Sequence, residues 1–292
     1  MSDAWTTWPA PAKLNLFLHI VGRRADGFHA LQTVFQLLDW GDTIRLRVRE
    51  DGVVARVAGL ENVVPENDLA MRAASALQSA SGSNFGADIA VEKRIPTGGG
   101  LGGGSSDAAT VLVALNKLWN TQLSGDALTE IGRRLGADVP VFVRGRTAWA
   151  EGVGDELTAI ELPPRSFVIV DPQVAVPTAA LFQAPELTRD TPATTISRFL
   201  EGMETANAFA PVARARYREV AAALDWLGRF GEARLSGSGG CSFVAVKSER
   251  EAQAIVAECP PQFRAWAARG VNRSPLHEEM DRFKPGGPSP SW

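Results

Sequence analysis

The sequence predicts an α+β fold in two parts, and three observations carry that reading. The chain opens on a period-two apolar alternation followed by a second alternating run, so it starts as antiparallel sheet rather than as βαβ units. A glycine run, Gly98 to Gly104, then sits between an apolar strand pattern and a helical one. Finally, Pro163-Pro164 breaks the chain before strand and helix patterns resume.

The elements follow in order. Over Lys13–Val21, Leu14, Leu16, Leu18 and Ile20 alternate with Lys13, Asn15, Phe17 and His19, which predicts a strand with one buried face. Lys13 and Asn15 then stand side by side on the other face, where they either serve a ligand or form a solvated surface. Gly22–Gly27 reads as a polar turn, Phe28–Leu38 resumes the apolar pattern and Asp39–Asp42 reads as a turn. Ile44, Leu46 and Val48 alternate with arginines up to a hairpin signal at Asp51-Gly52. Asn67 is expected to cap a helix running to about Ser79. Ala87, Ile89 and Val91 predict a strand that ends near Pro96. Ser105–Asn120 is helical, and a further helix runs from about Ser124 to a cap at Gly136. Val139–Val143 reads as a short strand.

Past the proline break, a strand is expected at Phe167–Val170 and a long helix over Ala213–Phe230. A glycine turn, Gly237–Gly240, feeds a strand at Ser242–Val246; Glu249–Cys259 is helical and Phe263–Val271 returns as a strand. The expected division is residues 1–164, residues 165–283 and a loose tail from Lys284.

Composition excludes several classes. Hydrophobic residues make up 45% and charged residues 22% of the 292, which is the composition of a globular chain and not of a disordered one. The net charge of −3 gives no general attraction to nucleic acid or to an anionic membrane, so an anionic ligand needs a local arrangement. Cys241 and Cys259 make no disulfide framework, Met1–Pro11 has no signal-peptide pattern, and no apolar run is long enough to span a bilayer. A cytoplasmic protein is expected. The 28 glycines exceed the roughly 20 that average usage gives. Six of them fall within Gly98–Gly104, so the excess marks a site.

That run reads Pro96-Thr-Gly-Gly-Gly-Leu-Gly-Gly-Gly-Ser-Ser-Asp107. Glycine backbone can turn its amides toward a ligand at close range, and the helix behind it adds unpaired amides and the positive end of its dipole. Together they form a phosphate cradle, with the hydroxyls of Ser105 and Ser106 in the first turn. A P-loop is excluded because the run contains no lysine. Gly98, Gly100 and Gly103 satisfy G-x-G-x-x-G, but a dinucleotide fold also needs a second parallel strand ending in an acid about 20 residues on, and two helices follow instead.

Pro96 followed by Gly100-Leu-Gly102 and the serine pair resembles the phosphate loop of the galactokinase, homoserine kinase, mevalonate kinase and phosphomevalonate kinase (GHMP) superfamily. Pro11-Ala-Lys-Leu-Asn15 and Leu235-Ser-Gly-Ser-Gly-Gly240 are similar to its N-terminal and C-terminal motifs. Within it, four blocks resemble the 4-diphosphocytidyl-2-C-methyl-D-erythritol kinases: Pro11–Leu18, Arg24-Ala-Asp-Gly-Phe-His29, Gly136-Ala-Asp-Val-Pro-Val-Phe142 and Val271-Asn-Arg-Ser-Pro-Leu-His277.

The resemblance implies a two-domain α+β GHMP kinase fold, with a ribosomal-protein-S5-like N-terminal domain, a ferredoxin-like C-terminal domain and the active site in the cleft between them. It implies ATP-dependent phosphorylation of the 2-hydroxyl of the cytidine diphosphate-linked methylerythritol, in the non-mevalonate isoprenoid route. Asp138 would accept the proton and Lys13 would assist. Pro96, Gly98, Gly99, Gly100, Leu101, Gly102, Gly103, Gly104, Ser105 and Ser106 would hold ATP. Asn15, Phe28, His29, Phe182 and Gly239 would hold the substrate, with Phe28 standing where relatives usually have tyrosine. Ser106 would ligate Mg²⁺. A monomer or weak homodimer is expected. The alternatives are a homoserine- or mevalonate-type kinase, or a nucleotide-binding regulator that has lost catalysis.

Overall fold

The computed structural model describes residues 4–283, apart from Asp26, residues 60–62 and Glu204. The tail expected from Lys284 lies outside the described residues. Two long antiparallel strands, β1 (Thr6–Arg23) and β2 (His29–Arg49), form the spine. Lys13 and Asn15 are each only 2% exposed, so β1 is buried on both faces and the solvated-face reading falls. β2 runs straight through Asp39–Asp42, where a turn was expected. The register explains this: Pro11 pairs with Gly41 and Lys13 with Leu37, so the extra residues of β2 are absorbed as a bulge. A Cβ on Gly41 would lie 2.1 Å from the Ala10 carbonyl oxygen, so only glycine permits this approach. Asp42 spends its carboxylate on the amides of Arg94 and Ile95 instead of closing a turn.

β3 (Val54–Ala58) does not form the expected hairpin with β2. β4 (Gly86–Glu92) takes that edge, matching Ile44 with Val91 and Leu46 with Ile89, and β3 pairs parallel to it on the outside. α1 (Leu69–Ser81) is capped by Asp68, not Asn67, through Oδ1 accepting from the Ala70 amide at 2.9 Å. α2 (Gly103–Leu118) starts two residues earlier than expected, inside the glycine run. α3 (Gly125–Leu135) starts where expected, capped by Ser124, and ends at the expected cap Gly136. Val139–Val143 is not a strand but most of α4 (Val139–Arg144), with Pro140 in its first turn and left-handed Gly145 ending it. A run of five apolar residues suits either element; burial all round the helix accounts for its lack of polar spacing. β5 (Ala148–Glu151) and β6 (Glu156–Ala159) then form a hairpin against β2.

The second half holds β7 (Ser166–Asp171) and two short helices, α5 (Thr178–Phe182) and α6 (Ile196–Leu200). The single helix expected over Ala213–Phe230 is two, α7 (Ala210–Arg216) and α8 (Arg218–Leu227). They break at Tyr217, whose extended backbone accompanies packing of its ring into an apolar cluster. β8 (Arg234–Leu235), β9 (Ser242–Val246), α9 (Glu249–Ala257), β10 (Arg264–Val271) and α10 (Pro275–Arg282) complete the chain. The strands follow the order β3-β4-β2-β10-β7-β9-β8. β10 bridges the halves, pairing with β7 along its length and with β2 at Gly270 and Val271.

The core has matching parts. One cluster packs Trp8, Phe35 and Leu37 against α1, α2 and α4. Another packs β7 and β9 against α8 and α9. Between them, Ala12, Leu14, Leu38 and Leu101 meet Phe167, Ile169 and Phe243. The Val271–His277 block proves structural. Asn272 exchanges side-chain hydrogen bonds with both backbone groups of Leu162, and Thr147 and Ser274 add backbone bonds across the same seam. His277 Nε2 lies 2.9 Å from the Val143 carbonyl. Among the described residues no helix is long and apolar enough to cross a membrane.

Candidate active site

The glycine run becomes a loop in which Gly98, Gly100 and Gly102 all take left-handed backbone angles. Leu101 anchors it from below, buried in the central cluster, with its carbonyl accepting from the Lys13 amide at 3.0 Å. Gly102 opens α2; a Cβ there would press on the Phe142 ring at 2.8 Å and on Lys13 Cε at 3.1 Å. The first intrahelical bond runs from the Ser106 amide to the Gly102 carbonyl, so the amides before it remain for an anion. Pro96 bounds the loop, its carbonyl accepting from the Gly99 amide. Gly103 packs on Ile95 and Lys93, and Gly104 and Ser105 edge the helix start.

Beneath the loop, Lys93 pairs with Asp42 and, at 2.7 Å, with Asp107. Burial works against the Lys93 charge, but Asp107 and Asp42 outweigh it and its pKa is raised. Burial pushes the Asp107 carboxyl up to about 7, with Asp42 adding to the rise and Lys93 opposing it. Ser106 Oγ and Asp107 Oδ1 are buried without a hydrogen-bond partner.

Lys13 Nζ stands at the mouth of the loop, 3.2 Å from Asp138 Oδ2, 2.5 Å from Asn15 Oδ1 and 3.0 Å from the Gly100 carbonyl oxygen. The lysine side chain is 3% exposed and that of Asp138 32%, so the carboxylate faces the cleft while its cation is enclosed. Asp138 precedes α4 yet makes no side-chain cap bond, so its carboxylate is not spent on the helix end. Asn15 spends its amide on positioning: Oδ1 accepts from Lys13 and Nδ2 donates to Thr33 Oγ1 at 2.9 Å. Ser236 Oγ accepts from the Asn15 amide and donates to the Gly100 carbonyl, tying strand, loop and second half together.

These groups line a cleft of about 740 Å³ between the halves. At its far end Phe28 is 65% exposed, and His29 stacks on Phe182 with centroids 5.0 Å apart. Phe182 in turn sets its edge against Phe209, so it is both a cleft wall and part of a core cluster. Partial burial, then the Arg189 and Arg23 charges, lower the His29 pKa. Gly237 and Ser238 reach the cleft wall, where Ser238 shares a 2.7 Å hydrogen bond with Thr178. Gly239 lies behind them, packed on Gly100, where a Cβ would meet the Gly100 nitrogen at 2.0 Å. Asp26, in the block that supplies Phe28 and His29, is outside the described residues. Thr33, Ser236, Thr178 and Ser238 had not been singled out: lone hydroxyls carry no spacing signal, although the Leu235–Gly240 block contains two of them.

Comparison with known proteins agrees with this geometry. The family described as "GHMP kinases N terminal domain" matches residues 68–146, and "GHMP kinases C terminal" matches residues 187–264. The 4-diphosphocytidyl-2-C-methyl-D-erythritol kinase of Aromatoleum aromaticum is 58% identical over 268 residues, covering 92% of this chain and 94% of the relative. The protein of that name from Xanthomonas oryzae pv. oryzae is 56% identical, covering 96% and 95%. A crystal structure of 4-(cytidine 5'-diphospho)-2C-methyl-D-erythritol kinase superposes with a TM-score of 0.79 at 34% identity, covering 91% of this chain and 99% of that one. The mevalonate kinase of Methanococcus jannaschii superposes at 0.64 with 17% identity over 93% and 99%, a likeness of fold alone. With the paired Lys13 and Asp138 at the head of a glycine loop and relatives of this identity along nearly its whole length, the chain belongs to the 4-diphosphocytidyl-2-C-methyl-D-erythritol kinase family of the GHMP kinases.

Proposed function

We propose that this chain transfers the terminal phosphoryl group of ATP to the 2-hydroxyl of 4-diphosphocytidyl-2-C-methyl-D-erythritol, giving the 2-phosphate and ADP in the non-mevalonate isoprenoid route. The observation that carries the reading is the 3.2 Å contact of Lys13 with Asp138 at the mouth of the glycine loop. The loop amides and the start of α2, from Pro96 to Ser106, receive the ATP phosphates. Asp138 Oδ2 accepts the proton of the attacking hydroxyl. A carboxylate is a weak base for an alcohol, so the proton moves late, as the bond to phosphorus forms. Lys13 orients the Asp138 carboxylate at 3.2 Å and faces the charge that develops on the transferred group. Asn15 fixes the lysine head through its amide oxygen. The cytosine stacks on Phe28 and Phe182 once the His29 ring turns from the Phe182 face, and His29 then bonds to the base. Phe28 supplies a ring without a hydroxyl, so stacking is its whole contribution. Gly239 acts from behind, by seating the Gly237–Ser238 wall against the loop.

The unpartnered, fully buried Ser106 hydroxyl fits a single protein ligand to Mg²⁺. No group of three or more acidic, histidine or cysteine side chains is poised for a metal among the described residues, so phosphate oxygens and water would complete the shell. When bound, the ion neutralises phosphate charge. We read the chain as two units divided at Pro163-Pro164, supported by the separate cores of the two halves. The free Cys241 and Cys259 support a cytoplasmic setting.

One assay tests the reading: ADP release with Mg²⁺ and, in turn, 4-diphosphocytidyl-2-C-methyl-D-erythritol, mevalonate and homoserine. Turnover is expected with the first alone. Turnover with either of the others alone overturns the proposal.

A further inference from the structure

A second cavity, of about 360 Å³, opens where the two halves meet, away from the cleft. Leu16 of β1 faces it, while Asn15 beside it faces the cleft. Leu16, Phe167, Phe243 and Ala245 give it apolar walls. At its edge stand Phe199, Leu200 and Met203, the last two 52% and 40% exposed. The volume falls at the lower end of ligand pockets and far exceeds a packing defect.

The polar side of the cavity is cationic. Arg165, Arg234 and Glu232 line it, two guanidiniums to one carboxylate. Glu232 is already paired with Arg234 at 2.7 Å. The exposed Arg165 side chain has no acidic partner among the described residues. A long apolar wall beside an unneutralised guanidinium suits a molecule of matching polarity.

We propose that this cavity binds a small amphipathic anion, a chain of several carbons ending in a carboxylate or phosphate. The apolar walls take the tail and Arg165 takes the head. The site is wired to the cleft through Arg234, whose Nη1 donates to the Leu16 carbonyl at 2.7 Å and to Thr205 Oγ1 at 3.1 Å. Leu16 lies in the irregular stretch of β1 between Asn15 and Leu18, and Ser236, two residues past Arg234, holds the Asn15 amide. An occupant that draws on Arg234 therefore shifts Asn15, and with it the affinity for the phosphoryl acceptor.

The binding measurement needs no activity, so its failure is separate from failure of the proposed reaction. Calorimetry on the full chain would use n-octyl phosphate below its micelle concentration, with n-octanol and inorganic phosphate as partial probes. One n-octyl phosphate per chain is expected, at least tenfold tighter than either partial probe. Ala245→Phe, which fills the cavity, should abolish binding while ATP still binds; Leu200→Asp, at the exposed edge, and Arg165→Ala should each weaken it tenfold or more. Absence of binding, equal binding of octanol or phosphate, displacement by ATP or cytidine diphosphate, or undiminished binding to Leu200→Asp would each overturn the site. An unchanged KM for the phosphoryl acceptor at saturating n-octyl phosphate would overturn the wiring through Arg234.

Discussion

Asp138 is read as a base because, among the described residues, only Lys13 engages its carboxylate. Asp138→Asn keeps the shape and removes the basicity, so turnover should fall roughly a hundredfold or more while ATP binding, followed by calorimetry, is unchanged. Lys13→Ala should damage turnover far more than thermal stability. His29 gives a pH test. Its pKa lies below the ordinary 6.5, through burial and then Arg189 and Arg23, so the ring is neutral at pH 7. As pH falls through that lowered value the ring gains a proton and loses its acceptor. The KM for the cytidine substrate should therefore rise on the acid side below 6.5, stay flat above it, and lose this step in His29→Asn. At this scale the sequence was half legible. Lys13, Asn15 and Asp138 stood out through motifs, since spacing alone left Lys13 and Asn15 open between a solvated face and a ligand site. Thr33 and Ser236 did not, because their bonds to Asn15 cross 18 and 221 residues.

Among elements, the glycine loop and α2 were legible because local residue types decide them. The fate of Asp39–Asp42 was not. Those residues are turn formers, and only pairing with β1, 30 residues earlier, turned them into a bulge. Val139–Val143 failed for the opposite reason: a fully apolar run has no period to read. The element most exposed to single substitutions is the seam under the loop, where Lys93 joins the end of β4, the β2 bulge and α2. Lys93→Met leaves Asp42 and Asp107 facing each other without a cation and should cost about 3–5 kcal/mol in urea unfolding. Adding Asp107→Asn should recover part of that loss. If the double variant is no more stable than the single one, the charge account of this seam is wrong.

At the scale of the whole chain, two halves share one run of strands, closed by β10 and clamped by Asn272. Asn272→Ala strands two backbone groups of Leu162 at the seam and should cost roughly 1–3 kcal/mol, seen as a lower urea midpoint. The sequence carried no signal for the return of the last helix to the first half, where Leu276 is buried. Gly239 packs backbone to backbone on Gly100 where the halves meet, flanked by backbone bonds from Gly240 to Gly98 and from Cys241 to Gly99. This contact sets a rule for recombination. A library of chimeras crossed over at Pro163-Pro164 inherits one turn from each parent, and the two turns can mate only as bare backbone. Crosses in which either parent brings a side chain to that point should drop out of the folded pool, however similar the parents are elsewhere.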